Sequence, residues 1–581
     1  MTLQVVRAVD NLERYNITRS NLNIYHNVVI GNRIRSLHPA QRLPPFTLPA
    51  SPQQPQQQPQ QQQPQQQQWA QLLLDPITQL LDQHPSLAVV IGDHLTARPM
   101  FLRLETIDLV PLIRVVTLKD SLDISRVLEQ EHNLPFDLSD QTRPLWRLVI
   151  ALMMEGDLSS VYVLYTFHHV IADGRSAMAL TAQLIELLNR QAQAQSQAQA
   201  WAGANNRAGN TKIPVRSMNP MPASIEQRVN CYPSLRTLVL EVIRALLLPG
   251  ILKKALERRY WAGEIDSSLE VPNETELGFL RFSKEETQKI VQAAKTHATT
   301  VQAVLYAASV FATKAVFMSS GSISRDGDHE DGSGSGSGGK KARKEKEKEE
   351  EKEEGIVFAT PVSLRNLIPN KIAPEDQGNY TSEILHPAIH VNNSSEFWEM
   401  TRIYRAQVVA STTTTRGVQE LLEHFGMLNL LSKKDGGWET FMTSKVKKDQ
   451  HGRKASIKLS NLGSGWGQQP SRHVCGSGHD TVTDTGTRTG PEREGEVEFL
   501  IEDAVFSQSS GVTASALTMN VATANGVMTV TTTWQKAGFR GRERGDVFVE
   551  AFRRILFEAI EGDDGSGRRQ EKYFFSQLLL Q

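Results

Sequence analysis

The 581-residue chain is short of several things at once. Its two cysteines, Cys231 and Cys475, lie far apart, which excludes a disulfide framework and fits a reducing compartment. An excess of either charge is missing too, since 63 Lys+Arg stand against 64 Asp+Glu. Phosphate backbones are bound through a basic excess or a basic face, so nucleic acid is not an expected partner. No uninterrupted apolar run reaches the roughly 18 residues that would suggest a membrane span. The opening MTLQVVRAVDNLERYN holds no apolar h-region, so no secretory signal is expected. The expected location is therefore the cytoplasm, with the sequons at Asn16, Asn273, Asn379, Asn392 and Asn393 left unglycosylated. The apolar share is also low. At 39 % it lies below the globular norm of about 45–50 %, so something dilutes the core.

The diluent sits in four tracts: Gln/Pro-rich at 51–68, Gln/Ala-rich at 191–210, Gly/Ser then Lys/Glu at 319–354, and Gly/Ser/Thr-rich at 465–495. Each interrupts segments of clear periodicity, and loops absorb length at small entropic cost, so all four read as loop insertions. What remains is ample for two packed domains. Strand patterns are expected at 23–34, 87–91, 112–118, 146–153 and 160–167, and helices at 69–83 and 176–188. The run SVYVLYTF at 160–167 has the apolar, β-rich character of a central strand buried on both faces. The second half repeats this grammar, with helices at 284–294, 301–317 and 546–560 and strands at 355–361, 497–501, 514–521 and 527–533. The economical organisation is two α/β subdomains, 1–214 and 276–581, joined by a crossover segment at 215–275.

The most informative residues follow that central strand: His168, His169, Val170, Ile171, Ala172, Asp173 and Gly174. A histidine released at a strand end can present an imidazole nitrogen to a cleft, where a pKa near neutrality suits proton transfer. A carboxylate four positions on can brace the turn by pairing with an arginine, since a buried carboxylate without a partner is costly. Gly174 permits a tight backbone and opens the next helix. An isolated HxxxD also arises by chance, and His168, His169 and Asp173 include metal-ligand types. Adjacent histidines at a strand end point to opposite sides, however, so no metal is expected.

Here the sequence resembles the HHxxxDG acyltransferases of chloramphenicol-acetyltransferase-like fold, above all the fungal alcohol acetyltransferase branch. The resemblance extends over NLERYNITRSNLNIYHNVVI at 11–30, similar to that branch's N-terminal strand region, and over Phe136-Asp137-Leu138 with Pro144-Leu145-Trp146-Arg147-Leu148. In the second half it takes in Thr360-Pro361-Val362-Ser363-Leu364-Arg365, Gly378-Asn379-Tyr380 and Ser460-Asn461-Leu462-Gly463. The plant branch's DFGWG motif is absent, and Gly465-Trp466-Gly467 only echoes it. The peptide-condensation branch shares HHxxxDG, but Asp120-Ser121-Leu122 lacks the preceding Gly-Gly of a carrier site and reads as a helix start.

The resemblance implies two mixed-sheet subdomains flanked by helices, with a tunnel between them for acetyl-CoA (or another acyl-CoA) and an alcohol or amine acceptor. It implies His169 as general base in a ternary complex, Asp173 and Gly174 as motif partners, and no metal. Arg365 would pair with Asp173, Ser460 or Asn461 would bond the oxyanion, and His168 would support. An alcohol O-acetyltransferase is the leading expectation. An N-acyltransferase acting on an amine such as a sphingoid base, or a non-catalytic scaffold of the same fold, are the alternatives.

Other signals weigh less. Gly334 to Lys340 satisfies GxxxxGK but lacks the Ser/Thr and the following apolar helix of a phosphate loop. His473, Cys475 and His479 have ligand-like spacing without a second ligand pair. The basic, apolar-striped segment 235–261 reads as a crossover helix or as a helix lying on a membrane surface. The latter would set the protein on an intracellular membrane or lipid droplet.

Overall fold

A computed structural model describes residues 3–37, 58–120, 123–154, 159–198, 210–239, 260–318, 354–430, 436–448, 450–464, 499–561 and 573–578. In chain order its strands are β1 (Gln4–Ala8), β2 (Val28–Ser36), β3 (Val89–Gly92), β4 (Met100–Arg103), β5 (Thr106–Asp108), β6 (Ile113–Leu118), β7 (Trp146–Met153) and β8 (Ser160–Phe167). They continue as β9 (Lys212–Pro214), β10 (Thr275–Phe282), β11 (Phe358–Ser363), β12 (Thr381–Leu385), β13 (Ala455–Asn461), β14 (Phe499–Gln508), β15 (Ser515–Ala524) and β16 (Val527–Gln535). Two mixed sheets dominate, as expected. One runs β14-β2-β8-β7-β6 and the other β10-β16-β15-β13-β11-β12, with small sheets β1-β4-β3 and β5-β9 beside them.

β8 occupies the centre of the first sheet, and all eight of its residues are buried. Its antiparallel neighbour β2 approaches closely at Gly31, where an added Cβ would meet the Val163 carbonyl oxygen at 2.3 Å. The helices Gln58–Gln83 and Gly174–Ala198 share the core beneath this sheet, where Trp69, Leu73, Leu180 and Leu184 are buried. Both helices begin or end inside tracts expected to be loops. Gln and Ala are good helix formers, so an amphipathic helix docked on a sheet continues into its Gln-rich flank.

In the second half the apolar helix Val301–Thr313 is wholly buried from Ala303 onward, packed with Phe548, Phe552 and Ile555 of the helix Arg542–Glu561. By length and composition Val301–Met318 would suit a membrane, yet here its apolar surface forms core. The preceding helix, Lys284–Thr296, starts at a capping box in which Ser283 Oγ accepts from Glu286 N and a Glu286 carboxylate oxygen accepts from Ser283 N.

Two features depart from the sequence reading. Residues Asn11–Asn21 form a helix, and the strand expected from residue 23 begins only at Val28. More consequentially, β14 lies in the second half of the chain but pairs antiparallel with β2 along the edge of the first sheet. The subdomain boundary at 275/276 therefore does not divide the sheets. Thr529, Thr531 and Thr533, alternating along one face of β16, donate their hydroxyls to the carbonyls of Ala504, Phe506 and Gln508 in β14 at 2.6, 2.8 and 2.9 Å. The crossing strand thus stitches the halves together. Of segment 235–261, residues 240–259 lie outside the described residues, as do the Gly334–Lys340 and His473–His479 signals. Leu235 is exposed, whereas Trp261 is buried and stacks on Phe317 at 4.5 Å.

Candidate active site

The turn after β8 sends its two histidines in different directions. His168 is buried, with Nε2 2.7 Å from Ser20 Oγ and Nδ1 accepting from Val170 N at 3.1 Å, so it fastens the turn to the N-terminal helix. Burial pushes its pKa down to about 3, keeping it neutral. His169 instead lines a cavity of about 460 Å³ between the two sheets. Its Nδ1 lies 3.0 Å from the Ala172 carbonyl oxygen. A carbonyl only accepts, so that contact assigns the proton to Nδ1 and leaves Nε2 as the lone pair. Asn379 Nδ2 sits 3.1 Å from the same Nδ1 and 3.3 Å from the His169 carbonyl, and with Nδ1 protonated its hydrogen goes to that carbonyl. Desolvation first, then the nearby Arg19 charge, lowers the His169 pKa to about 4, with Asp173 acting in the opposite sense. The imidazole is neutral at physiological pH.

Asp173 does not face the cavity. It is fully buried, and its carboxylate accepts from Ser176 N (2.8 Å), Ser176 Oγ (2.9 Å) and Tyr380 N (3.0 Å). The Arg365 guanidinium donates to both of its oxygens at 3.2 Å. Arg365 also donates to Ser176 Oγ and to the Ala373 and Asp376 carbonyls, while its buried Nε has no partner among the described residues. Asp173 N donates to the Gly378 carbonyl at 2.8 Å. One carboxylate therefore joins the turn carrying His169 to the second-half loop carrying Asn379.

Gly174 opens the helix Gly174–Ala198 for a steric reason: a Cβ there would meet Leu462 Cδ2 at 2.7 Å. Ser460, Asn461 and Leu462, at the end of β13 and just beyond it, line the same cavity. Asn461 Oδ1 accepts from Gly463 N at 2.8 Å, in a turn that holds Gly463 at a φ of 79°. Among the described residues, Ser460 Oγ makes no hydrogen bond. No group of three metal-ligating side chains is gathered there or elsewhere among the described residues.

Sequence reasoning assigned nothing to several residues that shape the cavity. Asn379 belonged to a noted Gly-Asn element, Lys454 lies just before β13, and Lys458 precedes Ser460 by two residues, a signal that strand periodicity carries once β13 is known. Arg19 and Gln508 come from elements that only the folded chain brings together.

A family model described as alcohol acetyltransferase matches residues 122–474. A protein of Aspergillus fumigatus named as a probable alcohol acetyltransferase, crmB, is 28 % identical over 162 residues, covering 26 % of this chain. The match spans 34 % of that relative's length. Among solved structures, a trichothecene 15-O-acetyltransferase from Fusarium sporotrichioides superimposes with a TM-score of 0.58 at 11 % identity, covering 95 % of both chains. The first condensation domain of the calcium-dependent antibiotic synthetase reaches 0.51 at 11 % identity, with 98 % of both covered. These structural likenesses establish the fold: two chloramphenicol-acetyltransferase-like subdomains.

Proposed function

The chain belongs to the alcohol acetyltransferase family, and we propose that it is a CoA-dependent O-acyltransferase in which His169 is the general base. The observation that carries this reading is the free Nε2 of a neutral His169, held by the Ala172 carbonyl and opening on a cavity shared with Ser460 and Asn461. Acyl-CoA and the acceptor alcohol bind together. Nε2 takes the hydroxyl proton as the oxygen attacks the thioester carbonyl carbon, and the tetrahedral oxyanion accepts a hydrogen bond from Ser460 Oγ. The C–S bond then breaks, and the imidazolium returns its proton to the departing CoA thiolate. General-base action of this kind contributes about 10²–10⁴-fold, and one oxyanion donor about 10²–10³-fold.

The low pKa of His169 keeps the base unprotonated and makes the imidazolium short-lived. Its formation is offset by the oxyanion forming beside it and by Asp173 behind the turn. Asp173, Arg365, Asn379 and Gly174 are positioning residues, fixing the histidine and the wall opposite. His168 locks the turn and takes no part in proton transfer. The family's precedent for alcohols favours O- over N-transfer. Thiol release from acetyl-CoA, measured over matched alcohols and amines, tests this: turnover with alcohols is expected, and turnover confined to amines overturns the O-specificity.

A further inference from the structure

The cavity that holds His169 also holds more positive charge than its own side chains neutralise. Lys454, Lys458, Arg19 and the exposed Arg175 line it, with Glu383 as the acid among the lining residues. Lys454 takes that acid in an ion pair at 2.5 Å. Lys458 Nζ donates to the neutral amide oxygen of Gln508 at 3.0 Å. Arg19 bonds the amide oxygen of Asn16 and lies over the rings of Tyr25 and Tyr15, at 4.1 and 4.8 Å. Among the described residues neither Lys458 nor Arg19 has a carboxylate within ion-pair distance. A desolvated cation without a counter-ion is costly to the fold, and chains retain such groups where a ligand supplies the missing charge.

The two cations stand close to the reacting centre. Lys458 and Ser460 are two apart on β13, and both line the cavity. The amide oxygen that Lys458 bonds also accepts from Tyr25 OH at 3.5 Å, and the Tyr25 ring lies 6.1 Å from the His169 ring. Both cationic charges act on His169, depressing its pKa. CoA does not account for them well. Its nearest phosphate is separated from the thiol by the whole pantetheine arm, so with the thioester at His169 the phosphates lie well outside this part of the cavity. The remaining lining includes Leu12, Val362, Leu385, Leu428 and Phe506, which suits an aliphatic skeleton.

Resting on the acyltransferase reading above, we propose that Lys458 and Arg19 form an anion subsite for the acceptor, so that the preferred substrate is a hydroxy acid: hydroxyl at His169, carboxylate between the two cations. Lys458 is then a specificity-determining residue. A bound carboxylate supplies a counter-ion at ion-pair distance, which neither side chain has among the described residues; Glu383, paired with Lys454, reaches Lys458 only at longer range.

The test uses the full-length protein, acetyl-CoA, and a series of hydroxy acids (3-hydroxybutyrate, 6-hydroxyhexanoate, 10-hydroxydecanoate), each paired with its methyl ester. At the best length kcat/KM for the acid should exceed that for the ester by about 10-fold or more, and Lys458→Met should bring the ratio to about 1. Without acyl-CoA, the acid should raise the Tm of the wild type and not that of Lys458→Met. Should Lys458→Met fail to fold, Arg19→Gln is read by the same ratio. Esters matching or outperforming acids at every length, with CoA still released, would overturn the subsite alone. No CoA release with any acid, ester or simple alcohol would overturn the acyltransferase reading and the subsite with it. An acetyl-pantetheine arm separates the other anion source. If Lys458→Met erases discrimination between acetyl-CoA and acetyl-pantetheine while leaving the acid/ester ratio unchanged, the cation serves CoA phosphate and the proposal is wrong.

Discussion

Asp173→Asn is nearly isosteric, which makes it a sharp probe of the carboxylate that joins the two halves. The native group receives Ser176 N and Oγ on one oxygen, Tyr380 N on the other, and the Arg365 guanidinium on both. Asparagine has one acceptor oxygen. Whichever way the amide turns, its NH₂ meets donors, either those of Ser176 or those of Tyr380 and Arg365. One buried N–H then goes unsatisfied, at about 1–3 kcal/mol, and a charge-assisted bond worth about 1.5–3 kcal/mol is lost. Arg365, itself buried, loses its counter-ion; breaking a buried pair costs about 3–5 kcal/mol in all. Urea unfolding followed by tryptophan fluorescence should thus report a loss of at least about 3 kcal/mol. In a cycle with Arg365→Gln the two substitutions should couple by about 2 kcal/mol. Activity should fall at least about 10-fold, because the loop carrying Asn379 loses its anchor beside His169. A variant within about 0.5 kcal/mol of wild type, or strictly additive with Arg365→Gln, would refute the bracing role.

The acid limb of kcat/KM reports His169: activity should hold to about pH 5 and fall with a midpoint near 4, where imidazole at its ordinary pKa would give a midpoint near 6.5. Stability has its own pH dependence. His132 and His168 are each lowered to about 3, so the unfolded chain binds protons that the native state refuses. Their contribution is intact above about pH 6.5 and is lost progressively as pH falls from there towards 3, by about 2 kcal/mol each at pH 5, which denaturation midpoints at pH 7 and 5 would check. Gly174→Ala drives a methyl group into Leu462 Cδ2; we expect about 1–3 kcal/mol of overpacking and a reduced kcat, both partly restored by Leu462→Ala. Gly31→Ala strikes the Val163 backbone, which cannot yield as a side chain can, so that variant should fail to accumulate as folded protein.

Local pattern was enough for β7 and β8, whose limits coincide with the apolar runs at 146–153 and 160–167. It was enough for the motif too, because His169, Asp173 and Gly174 are adjacent in sequence and one turn sets their geometry. What pattern missed is non-local. β14 belongs to the first sheet because it pairs antiparallel with β2, while threonines of β16 bond its carbonyls from the second sheet, a relation without periodicity. Arg19, Lys458 and Gln508 meet from three distant segments, and none carries a motif. The Gln-rich tracts misled in the opposite direction: low complexity suggests a loop, while helix propensity and a docked neighbour extend the helix into it.

The central claim is that the neutral Nε2 of His169 removes the acceptor's proton. The direct measurement is CoA thiol release by His169→Ala beside wild type, on the best acceptor alcohol, with near-ultraviolet circular dichroism to establish an unchanged fold. The account predicts a native spectrum and a rate reduced by about 10²–10⁴-fold. A folded His169→Ala variant that retained the wild-type rate would contradict it.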